Sequence, residues 1–385
     1  MKTSQRMYIP FNKPHFSGKE LTYIRQAHAQ RQLAGDGYFT KLCQQWLNNT
    51  LGCDFSLLTH SCTAAIEMMA ILTNIKPGDE IIMPDYTFVS TANAFVLQGG
   101  VPVFVDIRPD TLNINEHLIE QAITKKTKAI VPVHYAGVGC EMDTICAIAK
   151  KNKLLVLEDA AQGMLAQYKG KYLGSIGDMA AMSFHETKNV ISGEGGAIFL
   201  NKSRFVERAQ IIREKGTNRT KFFQGRIDKY TWVDIGSSYL PGEIIAAFLM
   251  AQLEKADIIT EKRVKLWNRY HRELEDLEYA GYMRRPIVPE YVKFNAHIYY
   301  ILTKSKEDRI GLIDLLKKNG ILAVTHYVPL HSSPGGRRFG RFSGSMKVTN
   351  NAADTLIRLP LFYDLKQKEQ SDIIQIVHDF YKHKR

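Results

Sequence analysis

The stretch Ser183-Phe184-His185-Glu186-Thr187-Lys188-Asn189 runs at once into Ser192-Gly193-Glu194-Gly195-Gly196-Ala197. Lys188 leaves an apolar strand, Met179 to Phe184, and enters a loop whose glycines let backbone approach a ligand closely. A lysine that must attack a carbonyl near neutral pH has to be partly desolvated, so that its amine is neutral and nucleophilic. Lys188 stands where such a Schiff-base lysine would. Taken alone, a lysine beside glycines is more often a solvated surface residue, so the weight falls on the rest of the chain.

Working outward, short apolar runs alternate with helical patterns. Strands are expected at Phe55 to Thr59, Glu80 to Met83, Val101 to Val105, Ala129 to Val133 and Leu154 to Leu157. Helices are expected from Ser61, over Tyr86 to Leu97, around Glu116 to Ile123 and over Met142 to Lys151. Continuous apolar strands between helices mean an α/β fold, with a mostly parallel sheet covered on both faces. Ligands in such sheets bind where the carboxyl ends of the strands meet the following loops. Those ends carry Ser61-Cys62-Thr63 opening a helix, Glu158-Asp159-Ala160-Ala161-Gln162, Tyr86-Thr87-Phe88, and Lys188.

A helix start suits a phosphate, a carboxylate suits a protonated ring nitrogen, and an aromatic face suits a stacked ring. With the lysine amine, these fit pyridoxal 5'-phosphate. Lys188 would form the imine and then serve as general base and acid. Asp159 would hold the pyridine nitrogen protonated, Phe88 would stack on the ring, and Ser183 with Thr63 would bind the phosphate. Each residue also has a plainer reading: Asp159 as a helix cap, Phe88 and Tyr86 as core, Cys62 as a structural thiol or, less simply, a reactive thiolate. His134, His185, His326 and His331 lack tight metal spacing and read as hydrogen-bonding residues.

Lys19 to Gln30 and Tyr38 to Leu51 read as helices joined by Gly35-Asp36-Gly37. Glu243 to Ala280 contains neither Gly nor Pro and reads as one long helix or a pair, a bridge to a second unit. Beyond it come an expected strand at Ala296 to Thr303, a helix capped by Ser305, a strand at Ile321 to Val324 and a terminal helix from about Lys368. The division is therefore 1–242, with the cofactor-binding sheet, and 243–385, with a smaller α+β domain.

The formal charge of +12 is spread along 385 residues apart from two small clusters, which fits an anionic cofactor and substrate better than nucleic acid. Five cysteines without a C-x-x-C pair point to a reducing cytoplasm. No apolar run approaches the roughly 20 residues of a membrane span.

The ordered motifs Asp159-Ala160-Ala161-Gln162, Ser183-Phe184-His185-x-Thr187-Lys188 and Gly193-Glu194-Gly195-Gly196 resemble the DegT/DnrJ/EryC1/StrS sugar aminotransferase family, of the aspartate-aminotransferase fold. The likeness runs from Ile9-Pro10-Phe11 to Leu359-Pro360-Leu361. Gly35-Asp36-Gly37, Tyr86-Thr87-Phe88-Val89-Ser90-Thr91-Ala92-Asn93, Val133-His134-Tyr135-Ala136-Gly137 and Arg213 to Arg219 are similar to members that aminate carbon 4 of TDP-4-keto-6-deoxyglucose. That resemblance implies L-glutamate as amino donor, TDP-4-amino-4,6-dideoxygalactose as product, a role in enterobacterial common antigen or a related surface polysaccharide, and a homodimer with shared active sites. It also implies cofactor contacts from Cys62, Thr63, Phe88, Asp159, Gln162, Ser183, Lys188 and Ser238, the last across the subunit interface.

There are two departures. Many members have Gly where this chain has Cys62, and many have an Asn that reaches the partner's phosphate where this chain has Ser238. Relatives that act as dehydratases replace the imine lysine with histidine; position 188 is Lys, which implies transamination. Arg219, in a basic stretch from Arg213 to Lys229, has two readings, solvated loop or diphosphate contact. Tyr327 and His331 have two as well, sugar pocket or core, and His185 is a further substrate candidate.

Overall fold

The computed structural model describes residues 8–382. Its centre is an eight-stranded sheet in the order Phe55–Thr59, Gly196–Leu200, Met179–Ser183, Leu155–Asp159, Thr127–Ile130, Glu80–Pro84, Val101–Val105, Arg341–Phe342. Neighbours from Met179–Ser183 to Arg341–Phe342 pair parallel, and helices cover both faces. The mostly parallel expectation therefore holds, with one exception. Gly196–Leu200 runs antiparallel to both of its neighbours. A parallel return needs a long crossover, usually helical. Residues 184–195 contain no helix, so the chain turns straight back, pairing Ser183 with Gly196. The Lys188 loop is that turn, at the carboxyl end of the Met179–Ser183 strand.

The sheet's inner residues are almost all fully buried. Met68, Met69, Ile81, Met83, Leu157, Ile198 and Leu200 pack in one core, Cys43, Leu47, Ala180, Met182 and Phe199 in another. A second unit has a three-stranded antiparallel sheet, Met283–Arg284, Tyr299–Thr303 and Leu356–Leu359. Its core joins Trp267, Tyr270 and Tyr299 to Leu312, Leu316, Ile373 and Val377 of the helices Lys306–Lys318 and Gln367–Lys382. Ser305 caps the first of these by accepting from the Asp308 N–H at 3.1 Å.

Glu243 to Ala280 forms three helices, Glu243–Leu253, Ala256–Glu273 and Glu275–Tyr279. The first is buried nearly all round and packs on Glu20–Ala29 and Tyr38–Leu51. Its leading residue, Glu243, is fully buried and accepts from the N–H groups of Gly37, Phe39 and Thr40 at 3.1, 2.8 and 3.1 Å, and from the Thr40 hydroxyl. A carboxylate thus satisfies the free N–H groups that open Tyr38–Leu51. Ile321 to Val324 is not a strand of a sheet. Ile321 bridges to Ile9 and Val324 to Arg358, one pair each, because the segment is wedged between the N-terminal run and Leu356–Leu359. No helix among the described residues is long and apolar enough to cross a membrane.

Candidate active site

A cavity of about 770 Å³ lies over the carboxyl ends of the central strands and is closed on its far side by the second unit. Lys188, Asp159, Cys62, Thr63, Phe88, Gln162, Ser183, His185 and Tyr327 all line it. Its size suits a small ligand with a substrate beside it.

The Cys62–Leu72 helix brings its N-terminus to the cavity. Of its leading N–H groups, that of Ala64 is taken by Ser61 Oγ at 3.1 Å and that of Ala65 by the Ser61 carbonyl at 3.3 Å. Those of Cys62 and Thr63 have no acceptor within the described chain. Gly196 sits directly beneath this turn: a Cβ there would stand 2.5 Å from Cys62 N and 2.6 Å from Ser61 O. Only glycine lets the Lys188 loop return so close to the helix start. The Thr63 hydroxyl bonds Ser90 Oγ at 2.8 Å.

Asp159 ends its strand and is buried. Thr91 donates to Oδ2 at 2.7 Å and the Ala161 N–H to Oδ1 at 3.1 Å, so the carboxylate is aimed by both neighbours. The preceding residue points the other way. Glu158 is 0% exposed and accepts from the N–H groups of Ile176 and Gly177 at 2.8 and 2.6 Å on Oε1, and from Gly174 at 2.8 Å on Oε2. His134, also 0% exposed, meets Oε2 through Nε2 at 2.8 Å. Its Nδ1 accepts from the Cys140 N–H at 3.2 Å, which makes the ring a neutral donor. Burial alone would raise the Glu158 carboxyl, but these hydrogen bonds outweigh it and the net shift is downward.

Burial lowers the Lys188 ammonium below its ordinary value, and Arg358 adds to that, against the opposing pull of Cys62 and Asp159. The amine is thereby brought toward its neutral, nucleophilic form. The Cys62 thiol is pushed well up by burial and by Asp159, which removes the reactive-thiolate reading. Asn189 fixes the loop from behind: its amide donates to the Asn295 carbonyl at 2.7 Å, and its oxygen meets His297 Nδ1 at 3.2 Å.

Tyr327 stacks on His326 at 3.7 Å, and its hydroxyl accepts from Gln162 Nε2 at 2.9 Å. Gln162 Oε1 in turn accepts the Ala136 N–H at 2.7 Å, so Gln162 holds the wall in place. Phe88 keeps 56% of its surface exposed, at the rim of the cavity.

Three expected contacts stand outside this cavity. His331 is held by Asp85, Nδ1 to Oδ2 at 2.5 Å, and does not line the cavity. Arg219 pairs with Glu214 at 3.4 Å and lies over Phe223. Ser238 is exposed on a segment that also exposes Phe223, Tyr230, Trp232, Val233 and Ile235. Within the same basic stretch, Arg213 is buried and anchors Asp36 at 2.6 Å, fixing the Gly35-Asp36-Gly37 turn.

The cavity also contains residues that sequence reasoning did not assign to it: Phe11, Asn12, Thr91, Arg263, His297 and Arg358 among them, and His326, which read only as a hydrogen-bonding residue. Thr91 lay within a quoted motif, and its neighbourhood to Phe88 was a usable signal. Arg263 and Arg358 had none, since they arrive from a helix and a strand far along the chain.

A family model for the DegT/DnrJ/EryC1/StrS aminotransferase family matches residues 15–378. An uncharacterized protein of Methanocaldococcus jannaschii is 37% identical over 341 residues, 87% of this chain and 88% of its own. GDP-perosamine synthase of Escherichia coli O157:H7 is 28% identical over 378 residues, 98% of this chain and 100% of that one. The PLP form of Spr1654 from Streptococcus pneumoniae superposes with a TM-score of 0.89 at 26% identity, over 98% of this chain and 99% of that one.

Proposed function

Since the chain belongs to the DegT/DnrJ/EryC1/StrS aminotransferase family, and is thus a pyridoxal-phosphate-dependent sugar aminotransferase, we propose that it aminates carbon 4 of TDP-4-keto-6-deoxyglucose. The donor would be L-glutamate, and the products TDP-4-amino-4,6-dideoxygalactose and 2-oxoglutarate. The amino sugar would feed enterobacterial common antigen or a related surface polysaccharide, made in the cytoplasm. The observation that carries the reading is a lysine amine, depressed by burial, that shares one cavity with an aimed carboxylate and a helix start whose leading N–H groups are free.

The residues present fit the cofactor. Lys188 would hold it covalently, Asp159 would face its ring nitrogen, Phe88 its ring, and the Cys62 and Thr63 N–H groups with Ser183 its phosphate. When bound, pyridoxal phosphate supplies an aldehyde that takes up the amino group and a ring that draws electrons from the donor carbon. Freed from that bond, Lys188 Nζ takes a proton from the donor's α-carbon, and later delivers one to carbon 4 of the sugar. Asp159, anchored by Thr91 and Ala161, would present its carboxylate to the ring nitrogen. The Gln162–Tyr327–His326 wall lines the same cavity as the amine and would screen it from water.

A second copy of the chain would complete the site. The exposed apolar residues around Ser238 and Arg219, with Trp232 at 78% exposure, are a surface that water covers poorly. In a homodimer with shared sites, Ser238 and Arg219 would serve the partner's cavity. His185, at the rim, would meet the sugar nucleotide.

The test converts the purified protein to its amine-bearing form with L-glutamate, then adds TDP-, UDP- and GDP-linked 4-keto-6-deoxyhexoses singly while visible absorbance is recorded. Return of the original band with TDP-4-keto-6-deoxyglucose alone supports the reading. Return only with another nucleotide sugar removes the named substrate, and no return with any of them removes the sugar reaction.

A further inference from the structure

Asp85 is a fully buried carboxylate that the reaction does not use. It follows the Glu80–Pro84 strand and turns its acceptors to one short segment far along the chain. Oδ1 accepts the His331 N–H at 2.7 Å, Oδ2 meets His331 Nδ1 at 2.5 Å, and the main-chain carbonyl accepts the Leu330 N–H at 3.1 Å. An ionised carboxylate only accepts, so Nδ1 carries the proton. Burying a carboxylate is unfavourable unless donors complete it, and here His331 supplies both donors to the two oxygens.

Both ends of this contact lead into the cavity wall. Three residues after Asp85 stands Phe88, and four residues before His331 stands Tyr327; both line the cavity, and their ring centres are 6.4 Å apart. Tyr86, next to Asp85, is buried behind them, 5.4 Å from the Tyr327 ring. The chain from Tyr327 to His331 has little freedom, since Pro329 restricts it and Leu330 is sunk in the core of the large sheet. Beyond His331 the turn closes on itself, Ser333 Oγ donating to the Leu330 carbonyl at 2.7 Å and accepting the Gly336 N–H at 3.1 Å. Gln162 holds the hydroxyl end of Tyr327; the main chain that carries the ring is held through His331.

This part of the wall borders solvent: Phe88 is 56% exposed, and Val328, beside Tyr327, is 69% exposed. A keto-sugar nucleotide brings a pyranose ring with a diphosphate trailing from it, whereas 2-oxoglutarate is a slim, unbranched chain. The spacing of two rings at the rim therefore matters more to the sugar than to the keto acid.

Resting on the sugar-aminotransferase reading above, we propose that Asp85 and His331 are positioning residues. Their pairing fixes the gap between Phe88 and Tyr327 by which the keto-sugar ring enters, and so sets acceptor affinity without touching the reacting atoms. The cofactor-loaded protein is brought to its amine-bearing form with L-glutamate and then given one of two acceptors, 2-oxoglutarate or a nucleotide-linked keto-sugar. The sugar is TDP-4-keto-6-deoxyglucose or, where wild type refuses it, the UDP- or GDP-linked ketohexose that wild type aminates. Return of the visible band gives KM and the maximal rate for each. His331→Leu raises the keto-sugar KM about tenfold, as misplacement of a remote wall does, and moves the 2-oxoglutarate KM and both maximal rates by less than about threefold. His331→Asn, whose side-chain N–H can stand where Nδ1–H donates, brings the keto-sugar KM back to within about threefold of wild type. His331→Gln, with its amide one carbon too far out, takes the place of the leucine variant if that does not fold. Arg341→Gln loosens the same segment further along, where Arg341 grips Glu80 at 2.8 and 2.7 Å, and leaves both acceptors unchanged.

Equal losses with both acceptors would make the pair a brace of the fold and overturn the proposal. So would no loss, no rescue by asparagine, or the same pattern from Arg341→Gln. If the pattern appears with a UDP- or GDP-linked acceptor, the positioning pair stands and the TDP substrate falls. If TDP-4-keto-6-deoxyglucose is aminated while the two KM values move together, the reverse is true.

Discussion

Replacing Glu158 by glutamine keeps the shape of the side chain and removes its charge, which isolates what an ionised acceptor does behind Asp159. Glu158 receives four donors: Ile176 and Gly177 N–H on one oxygen, Gly174 N–H and His134 Nε2–H on the other. Whichever way the amide turns, its NH₂ meets two donors. Two hydrogen bonds to a charged group are then lost, each worth about 1.5–3 kcal/mol, for a total of about 3–6 kcal/mol. That is a large share of the roughly 5–15 kcal/mol that holds a protein folded. Urea unfolding of the two proteins, followed by far-UV circular dichroism, measures it. Because the folded carboxyl is shifted below its ordinary value, its contribution is complete above the unfolded value of about 4.3 and is lost as pH falls through the folded one. The gap between wild type and Glu158→Gln is therefore flat from pH 6 to 8 and closes below about pH 4. A gap under about 1 kcal/mol at pH 7 would refute the role of the charge.

Lys188→Ala abolishes amine transfer by about 10³-fold or more, and in the cofactor-free protein the wild-type amine, neutral at lower pH than an exposed lysine, is acetylated at pH 8 ahead of surface lysines, as mass spectrometry of the digest would show. Cys62→Ser changes turnover by less than about threefold and the wild-type thiol resists iodoacetamide at pH 8, since a thiol pushed up by burial is not a thiolate; rapid alkylation with loss of activity contradicts this. Gly196→Ala forces the Ser61–Thr63 turn away from the returning strand, because the new Cβ would sit 2.5 Å from Cys62 N. It weakens cofactor retention on dialysis by about tenfold or more; unchanged retention would show that the turn can give.

The parts of the site that were legible in the sequence are those carried by strand ends. Continuous apolar runs located the strands, and position after a strand picked out Lys188, Asp159, Phe88 and the Ser61–Thr63 turn, since in a parallel sheet all such ends point the same way. The direction of Gly196–Leu200 was not legible from its residues, which are as apolar as any parallel strand; only the absence of a helix in 184–195 carries that information. Glu243 to Ala280 lacks any helix breaker, so its division into three helices comes from packing. Arg358 and Arg263 went unread for a related reason. Each sits in a segment whose periodicity speaks for burial, and nothing local says that the charged position faces a cavity. Ser305 was legible because a cap is a contact between neighbours in sequence.

The cavity wall gathers Phe11 and Asn12 at one end of the chain and Arg358, Leu359 and Leu361 at the other. Asn12 donates to the Glu186 carbonyl in the lysine loop, and Phe11 lies against Arg358. Contacts of such sequence separation form late, after the costly closure of long loops. A nascent chain leaving the ribosome would therefore form its large sheet, all but the Arg341–Phe342 edge strand, well before it could enclose a cofactor. Cofactor capture then reports on the finished chain, and a supply of pyridoxal phosphate during synthesis would draw the last folding step forward by mass action.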